Sequence, residues 1–279
     1  MNPNDSASTA LFTFVPGTTP LLINVPHAGT YVPPELRQGM SSVAQTVPDT
    51  DWHVHLLYQF ALELGAGLMV ATHSRYVVDL NRDPGDAVLY AGADNTELCP
   101  TRSFANDELY LPGQKPDAPQ IALRKARYWA PYHEALAANL ARIRARHGYA
   151  ILLDGHSIRS QVPRFFEGHL PDLNLGTADG ASCDAALQAA AMRVLQSAPG
   201  LSSICNGRFK GGYITRRYGR PAEGVQALQL EMAQSCYMDE SAPYAWEPRR
   251  AEALVAVLRR LLESLLAWPG AGVPDERSP

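Results

Sequence analysis

Three apolar runs in this chain lead into residues that can do metal or acid–base chemistry. Leu21-Leu22-Ile23-Asn24-Val25 runs into Pro26-His27-Ala28-Gly29. Ile151-Leu152-Leu153 runs into Asp154-Gly155-His156-Ser157, and the segment from Val225 to Leu230 runs into Glu231. A further acid, Asp51, opens the helical stretch that follows the first loop. Two imidazoles and one carboxylate form a donor set suited to mononuclear zinc, with a coordination position left for water. His27, Asp51 and His156 are therefore candidate metal ligands. The competing reading is a pair of satisfied histidines near turns, and the residues alone leave both open. Glu231 ends an otherwise apolar segment, where burial raises a carboxyl pKa into the range of a general base. An ordinary ion pair is the alternative there.

The same segments carry cations suited to an anionic ligand. Arg75 and Arg82 flank Tyr76-Val77-Val78-Asp79-Leu80, and a guanidinium fork binds a carboxylate at two points. Arg216 and Arg217 follow the glycine-rich run from Asn206 to Thr215. A solvated loop is the usual fate of such residues. In a chain of net charge −4 they are also candidates to receive an anionic small molecule. Other chemistries lack their signatures: no GxSxG elbow, no Walker A loop, no GxGxxG after a strand. His53 and His55 stand two apart on different faces of a predicted helix. His133 falls on the apolar stripe of its helix and reads as a core group.

These residues need a scaffold, and the periodicity supplies one. Buried-type runs at 21–25, 68–71, 76–80, 150–153 and 225–230 predict strands covered on both faces. Helical spacing predicts helices over Asp51 to Leu64, Gln120 to His147, Asp184 to Gln196 and Pro248 to Trp268, with Gly148 stopping the second. Alternation of the two predicts an α/β fold, a mainly parallel mixed sheet flanked by helices. The stretches Asn81 to Ala118 and Arg159 to Ser182 read as long loops, which often build active sites. No repeat or linker divides the chain, so residues 1–279 read as one domain, with a frayed tail from Gly270 to Pro279.

Composition narrows the function classes. The chain has 279 residues, 46% hydrophobic and 19% charged, enough for a large core. A mildly acidic balance argues against nucleic acid and anionic membranes as partners. Four dispersed cysteines form no CxxC pair, which argues against a cysteine zinc site or a disulfide framework. No apolar stretch approaches membrane-span length, no secretion signal is read, and the cytoplasm is the expected compartment. Oligomeric state is not read from the sequence.

Taken in order, several motifs resemble one family: Val25-Pro26-His27-Ala28-Gly29, Pro48-Asp49-Thr50-Asp51-Trp52-His53-Val54, Ser74-Arg75-Tyr76, Asp79-Leu80-Asn81-Arg82, Asp154-Gly155-His156-Ser157, the run from Asn206 to Thr215, and Gln229-Leu230-Glu231. Over about residues 11 to 245 the chain resembles the N-formylglutamate amidohydrolases. The resemblance implies a zinc carboxypeptidase- or amidase-like (phosphorylase/hydrolase-like) fold. It also implies His27, Asp51 and His156 on one divalent metal ion (zinc first, cobalt or iron as alternatives), with Glu231 as base. Asn81-Arg82 looks like the Asn-Arg pair that grips substrate carboxylate in carboxypeptidase-like enzymes. The second ligand departs from the glutamate usual in those relatives. Asp51 is preferred to Asp49 because it directly precedes Trp52 at the helix start. The implied reaction is hydrolysis of N-formyl-L-glutamate to formate and L-glutamate, the last step of one histidine degradation route. Arg75, Arg82, Arg216 and Arg217 are then available to the two carboxylates, and Arg75 also to the oxyanion. The alternatives are an amidase for another N-acyl amino acid or small peptide, and a non-catalytic dicarboxylate-binding protein.

Overall fold

The computed structural model describes residues 10–88 and 94–270. The N-terminal residues before 10, and the tail from 271 on, for which fraying is expected, lie outside that description. A seven-stranded sheet organises the chain. Its strands are β1 (Phe12–Val15), β2 (Leu21–Val25), β3 (Gly67–Ala71), β4 (Ala150–Ile158), β5 (Leu173–Gly176), β6 (Ser203–Cys205) and β7 (Val225–Ala233), in the order β1-β3-β2-β4-β7-β5-β6. The four central strands β3, β2, β4 and β7 are mutually parallel. β1 and β5 run antiparallel to β3 and β7, and β6 pairs parallel to β5. The fold is thus α/β with a mixed, mainly parallel sheet, as the alternation predicts.

Side-chain alternation divides the core. Leu21, Ile23 and Val25 of β2, Ile151 and Leu153 of β4, and Leu228 and Leu230 of β7 face one side. There they meet the apolar faces of two helices, Ala185–Gln196 and Pro248–Leu266. Leu22, Leu152 and Ala227 face the other side, against Tyr132, Leu136, Leu140 and Ile143 of a long helix. On that second face the apolar residues then give way to polar ones in register. Asn24, Asp154 and Gln229 form one row across β2, β4 and β7, and His156 pairs Glu231 in the next.

The long helical run, predicted over Gln120 to His147, spans 118–147 in three pieces. Two helices, Ala118–Arg124 and Ala130–His147, are joined by a π-helical turn at Lys125–Trp129. Asp117 begins the run with a capping box to Gln120. Pro131 has no N–H to give one turn back, and the π turn before it absorbs that mismatch. Gly148, in the left-handed conformation, ends the run as the sequence requires.

Several expectations are corrected. Tyr76–Leu80 is buried but forms turns instead of a strand, because Arg75 pairs with Asp79 and Asn81 N donates back to Asp79 Oδ1 at 2.8 Å. The helix expected over Asp51 to Leu64 breaks into one α-turn, Val54–Leu57, and one 3-10 turn, Gln59–Leu62. His53 sits at φ 63°, which keeps Asp51 outside any helix. β4 and β7 run on through His156 and Glu231, so both residues lie within strands and not after them. Within the predicted loop Arg159 to Ser182, Leu173–Gly176 forms a strand. The end of the glycine-rich run, from Tyr213, opens the short helix Tyr213–Tyr218.

Candidate active site

His27, Asp51 and His156 converge at the carboxyl ends of β2 and β4, buried, with one donor atom from each lying within 4.8 Å of the others. The atoms that face one another are the two Nδ1 atoms and the Asp51 carboxylate. His156 Nδ1 is 3.0 Å and His27 Nδ1 3.8 Å from Asp51 Oδ2. Ligands on a tetrahedral ion with bonds of about 2.0–2.1 Å lie roughly 3.4 Å apart, so this spacing brackets what such an ion needs. His27 Nδ1 and Asp51 Oδ1 are buried without a hydrogen-bond partner among the described residues. Native proteins rarely leave such atoms unmatched. The group can hold a metal ion, and its chemistry fits one.

The outer edges of both rings are fixed by carboxylates. His27 Nε2 donates to Asp79 Oδ1 at 2.8 Å, and His156 Nε2 lies 2.9 Å from Asp154 Oδ2. Carboxylates of this kind set ring orientation and tautomer behind metal-binding histidines. Asp154 is itself held by Asn24 Nδ2 at 2.7 Å, and Asn24 Oδ1 accepts from Tyr132 OH at 2.6 Å. Asp51 Oδ2 also accepts from Ser157 N at 3.1 Å, and the Asp51 backbone N donates to His27 O. Asp49 lies elsewhere: its Oδ2 accepts from Tyr76 OH and from Phe104 N, which ties a loop to the sheet end.

Charge follows this geometry. Burial and the nearby Arg75 lower the pKa of His27, leaving the ring neutral and Nδ1 a lone pair. Burial also opposes a proton on His156, but Asp154 and Asp51 outweigh it and hold that pKa well above the ordinary value. Burial works against the charge of Asp51, yet its hydrogen bond to His156 and the cationic neighbours depress its pKa. Glu231, in register with His156 on β7, is pushed up to about 7 by burial, with Asp51 and Asp154 adding to the effect.

These groups open into a cleft lined by His27, His156, Glu231, Arg75, Asn81 and Arg82 among others. Arg75 is nearly buried, 2.6 Å from Asp79 Oδ2 and 3.6 Å from Asp51 Oδ1. Asn81 accepts from Ile214 N at 2.8 Å, while its Nδ2 lies 3.0 Å from His156 Nε2. Gly212 permits this approach, since a Cβ there would meet the Asn81 amide at 2.3 Å. Arg82 is anchored on Thr96 through Nε and an NH₂.

Two sequence candidates fall outside this cleft. Arg216 and Arg217 line another pocket with Tyr213, and that pocket shares Asn81 and Arg82 with the cleft. Arg216 is turned back to Gly211 O at 2.9 Å, which draws it to its own loop. Arg208, from the same glycine-rich stretch, does line the cleft, beside Phe165 and Phe209. Asp79, Asp154, Asn24 and Gln229 were not singled out as site residues. Their signal is present in the sequence: Asp154 and Gln229 stand two residues before His156 and Glu231 on the same strands, and Asn24 interrupts the apolar run of β2.

An open, mainly parallel sheet with a buried His–Asp–His group and a carboxylic acid of raised pKa at the strand ends defines a hydrolase of the α/β class. The sequence profile of N-formylglutamate amidohydrolase matches residues 19–238. An N-formylglutamate deformylase of Pseudomonas aeruginosa is 52% identical over 258 residues, which is 92% of this chain and 97% of that protein. That of Pseudomonas putida is 46% identical, over 92% and 96% of the two chains. The crystal structure of an N-formylglutamate amidohydrolase from Ralstonia eutropha JMP134 superposes with TM-score 0.76 at 26% identity, covering 91% of this chain and 97% of that one. This chain belongs to the N-formylglutamate amidohydrolase family. Among the described residues no helix is long and apolar enough to cross a membrane.

Proposed function

We propose that this protein hydrolyses N-formyl-L-glutamate to formate and L-glutamate, with His27, Asp51 and His156 holding one divalent ion, which we assign as zinc. The observation that carries this reading is the placement of Glu231. It pairs in register with His156, inside an arginine-lined cleft, with a pKa raised to about 7 by burial. When bound, the ion supplies Lewis acidity, polarising the formyl carbonyl and acidifying the attacking water. The protein residues do the rest. Glu231 takes the proton of the water and returns it to the departing nitrogen, so that the C–N bond breaks to give formate and the free amine. Gln229 Nε2, 3.2 Å from Glu231 Oε2, steadies the carboxylate. Arg75 faces the site with a fixed positive charge that favours oxyanion development. Asn81 and Arg82 stand on the side of the cleft adjoining His156, suited to the substrate's α-carboxylate.

The test is formate release from N-formylglutamate by protein of measured metal content, with and without chelator. The expected result is turnover that chelator abolishes and zinc restores. Equal or faster turnover of N-acetylglutamate or short peptides would move the assignment to a broader amidase. Absence of formate release from zinc-loaded protein would leave a binding protein.

A further inference from the structure

On the assignment of N-formylglutamate as substrate, which this inference presupposes, two carboxylates need receptors in one cleft. Three arginines line it: Arg75, Arg82 and Arg208. Arg75 is held by Asp79 and Asp51 at the candidate metal cluster, where its charge is assigned to the oxyanion and not to a substrate carboxylate. Arg82 is joined by one peptide bond to Asn81, whose amide reaches His156. Arg208 comes from the loop after β6 and packs beside two phenylalanines. Its Nε donates to Phe165 O at 2.7 Å, and its guanidinium carbon lies 5.8 Å from the Phe165 ring centre and 5.5 Å from that of Phe209. Phe165 and Phe209 pack with Phe104, Ile158, Val162 and Leu170 in a separate apolar cluster beside the cleft. Phe104, Ile158, Phe165 and Phe209 reach the cleft itself.

This wall therefore brings a guanidinium and hydrocarbon together, with the Arg208 Nε bound to Phe165 O and two phenyl rings within about 6 Å, while the Asp94 carboxylate in the same lining is matched by Arg164. The substrate has the matching order of groups. Its α-carboxylate is attached to the carbon that bears the amide nitrogen. Its second carboxylate lies beyond two methylenes. The cation linked to the His156 side suits the first, the apolar wall suits the methylenes, and the guanidinium within that wall suits the second. We propose that Arg208 receives the side-chain carboxylate of the substrate, and that with Phe165 and Phe209 it sets the preference for acidic over neutral N-formyl amino acids.

N-formylglutamine tests this, since it keeps the length of the substrate and removes the charge. The quantity to measure is the ratio of kcat/KM on N-formylglutamate to that on N-formylglutamine, in the zinc-loaded wild type, Arg208→Gln and Arg208→Lys. Loss of a charge-paired guanidinium in a partly desolvated site is expected to lower that ratio on the order of 100-fold in Arg208→Gln. Arg208→Lys, which keeps the charge without the fork, is expected to lose roughly tenfold. Melting curves identify any variant that fails to fold, and the other then decides. A ratio unchanged in a folded variant, with both substrates slowed alike or neither slowed, would overturn the role of Arg208 while leaving the deformylase assignment standing. A wild type that turns over neither substrate would overturn the assignment itself.

Discussion

At the residue scale, a proton and a lone pair have to be in the right places. Glu231 must be ionised to accept a proton, and burial holds its pKa up to about 7. The base form is populated above that pKa, so kcat/KM is expected to rise with pH along a limb centred at or below pH 7. A bound cation beside the carboxylate moves this limb to lower pH. An acid limb that is unchanged in the residual activity of Glu231→Gln would remove Glu231 as the titrating base. Glu231→Gln, nearly isosteric, is expected to lower kcat by about 10²–10⁴-fold while leaving zinc content unchanged, as elemental analysis would report. Behind the candidate ligands, Asp79→Asn and Asp154→Asn each remove a charge that orients a ring. Both are expected to weaken metal binding by roughly 10–100-fold, read by competition with a chromogenic chelator. His27, His156 and Glu231 were legible in the sequence because each stands where an apolar run turns polar. Asp79 and Asp154 were present in the same motifs, but their partners depend on side-chain directions that only the folded strands and turns define. Arg216 and Arg217 draw attention by their charge after a glycine-rich run, and that does not say which of two pockets sharing Asn81 and Arg82 they line.

At the scale of elements, the segment carrying Asn81 and Arg82 is positioned by the long helix behind it. Trp129 Nε1 donates to Arg82 O at 3.1 Å and His133 Nε2 donates to Leu80 O at 2.8 Å, so the two carbonyls flanking Asn81 are both pinned. The two donors stand four residues apart, one at the end of the π turn and one just beyond it. Trp129→Phe removes one N–H and little volume. It is expected to raise KM for N-formylglutamate severalfold with a smaller change in kcat. A kcat loss without a KM effect would show that the pin serves catalysis in some other way. His133 also carries a stability signature. Burial pushes its pKa down to about 4, from 6.5. The unfolded chain therefore binds a proton that the native state refuses between those values. The stability this ring confers is complete above pH 6.5 and declines as pH falls toward 4, by up to about 3 kcal/mol. Urea unfolding at pH 7 and pH 4.5 is expected to show a smaller drop in His133→Gln than in the wild type, and equal drops would refute the assignment. The buried run Tyr76–Leu80 misled because apolar continuity marks burial, whereas the backbone path was decided by Arg75 and Asp79 pairing four residues apart. Short β5 and β6 were unreadable for the opposite reason: four and three residues carry too little pattern to register.

At the scale of the whole molecule, the site is a product of the fold closing. His27 comes from the end of β2, Asp51 from the loop beyond it, and His156 from β4 more than a hundred residues later. The carboxylates that orient the rings come from two further positions, Asp79 and Asp154. The unfolded chain holds none of these groups together, so binding of an ion at this cluster would be coupled to folding. At a free ion concentration one hundred times Kd, the linkage is worth about 2.7 kcal/mol. In a domain of this size that corresponds to a rise in Tm on the order of 5–10 °C. Zinc is therefore expected to raise Tm, and chelator to lower it, with His27→Ala losing the response. Protons oppose the effect. Asp51 and Asp154 favour a proton on both nitrogens of His156, and an ion at Nδ1 must displace the one held there. The zinc-induced rise in Tm should thus shrink as pH falls from 8 toward 6, with protons released on binding, measurable by calorimetry in buffers of different ionisation enthalpy. A rise in Tm that is independent of pH, or that survives in His27→Ala, would place the ion somewhere other than this cluster. The arginine-lined cleft would then need a different account of how it breaks an amide.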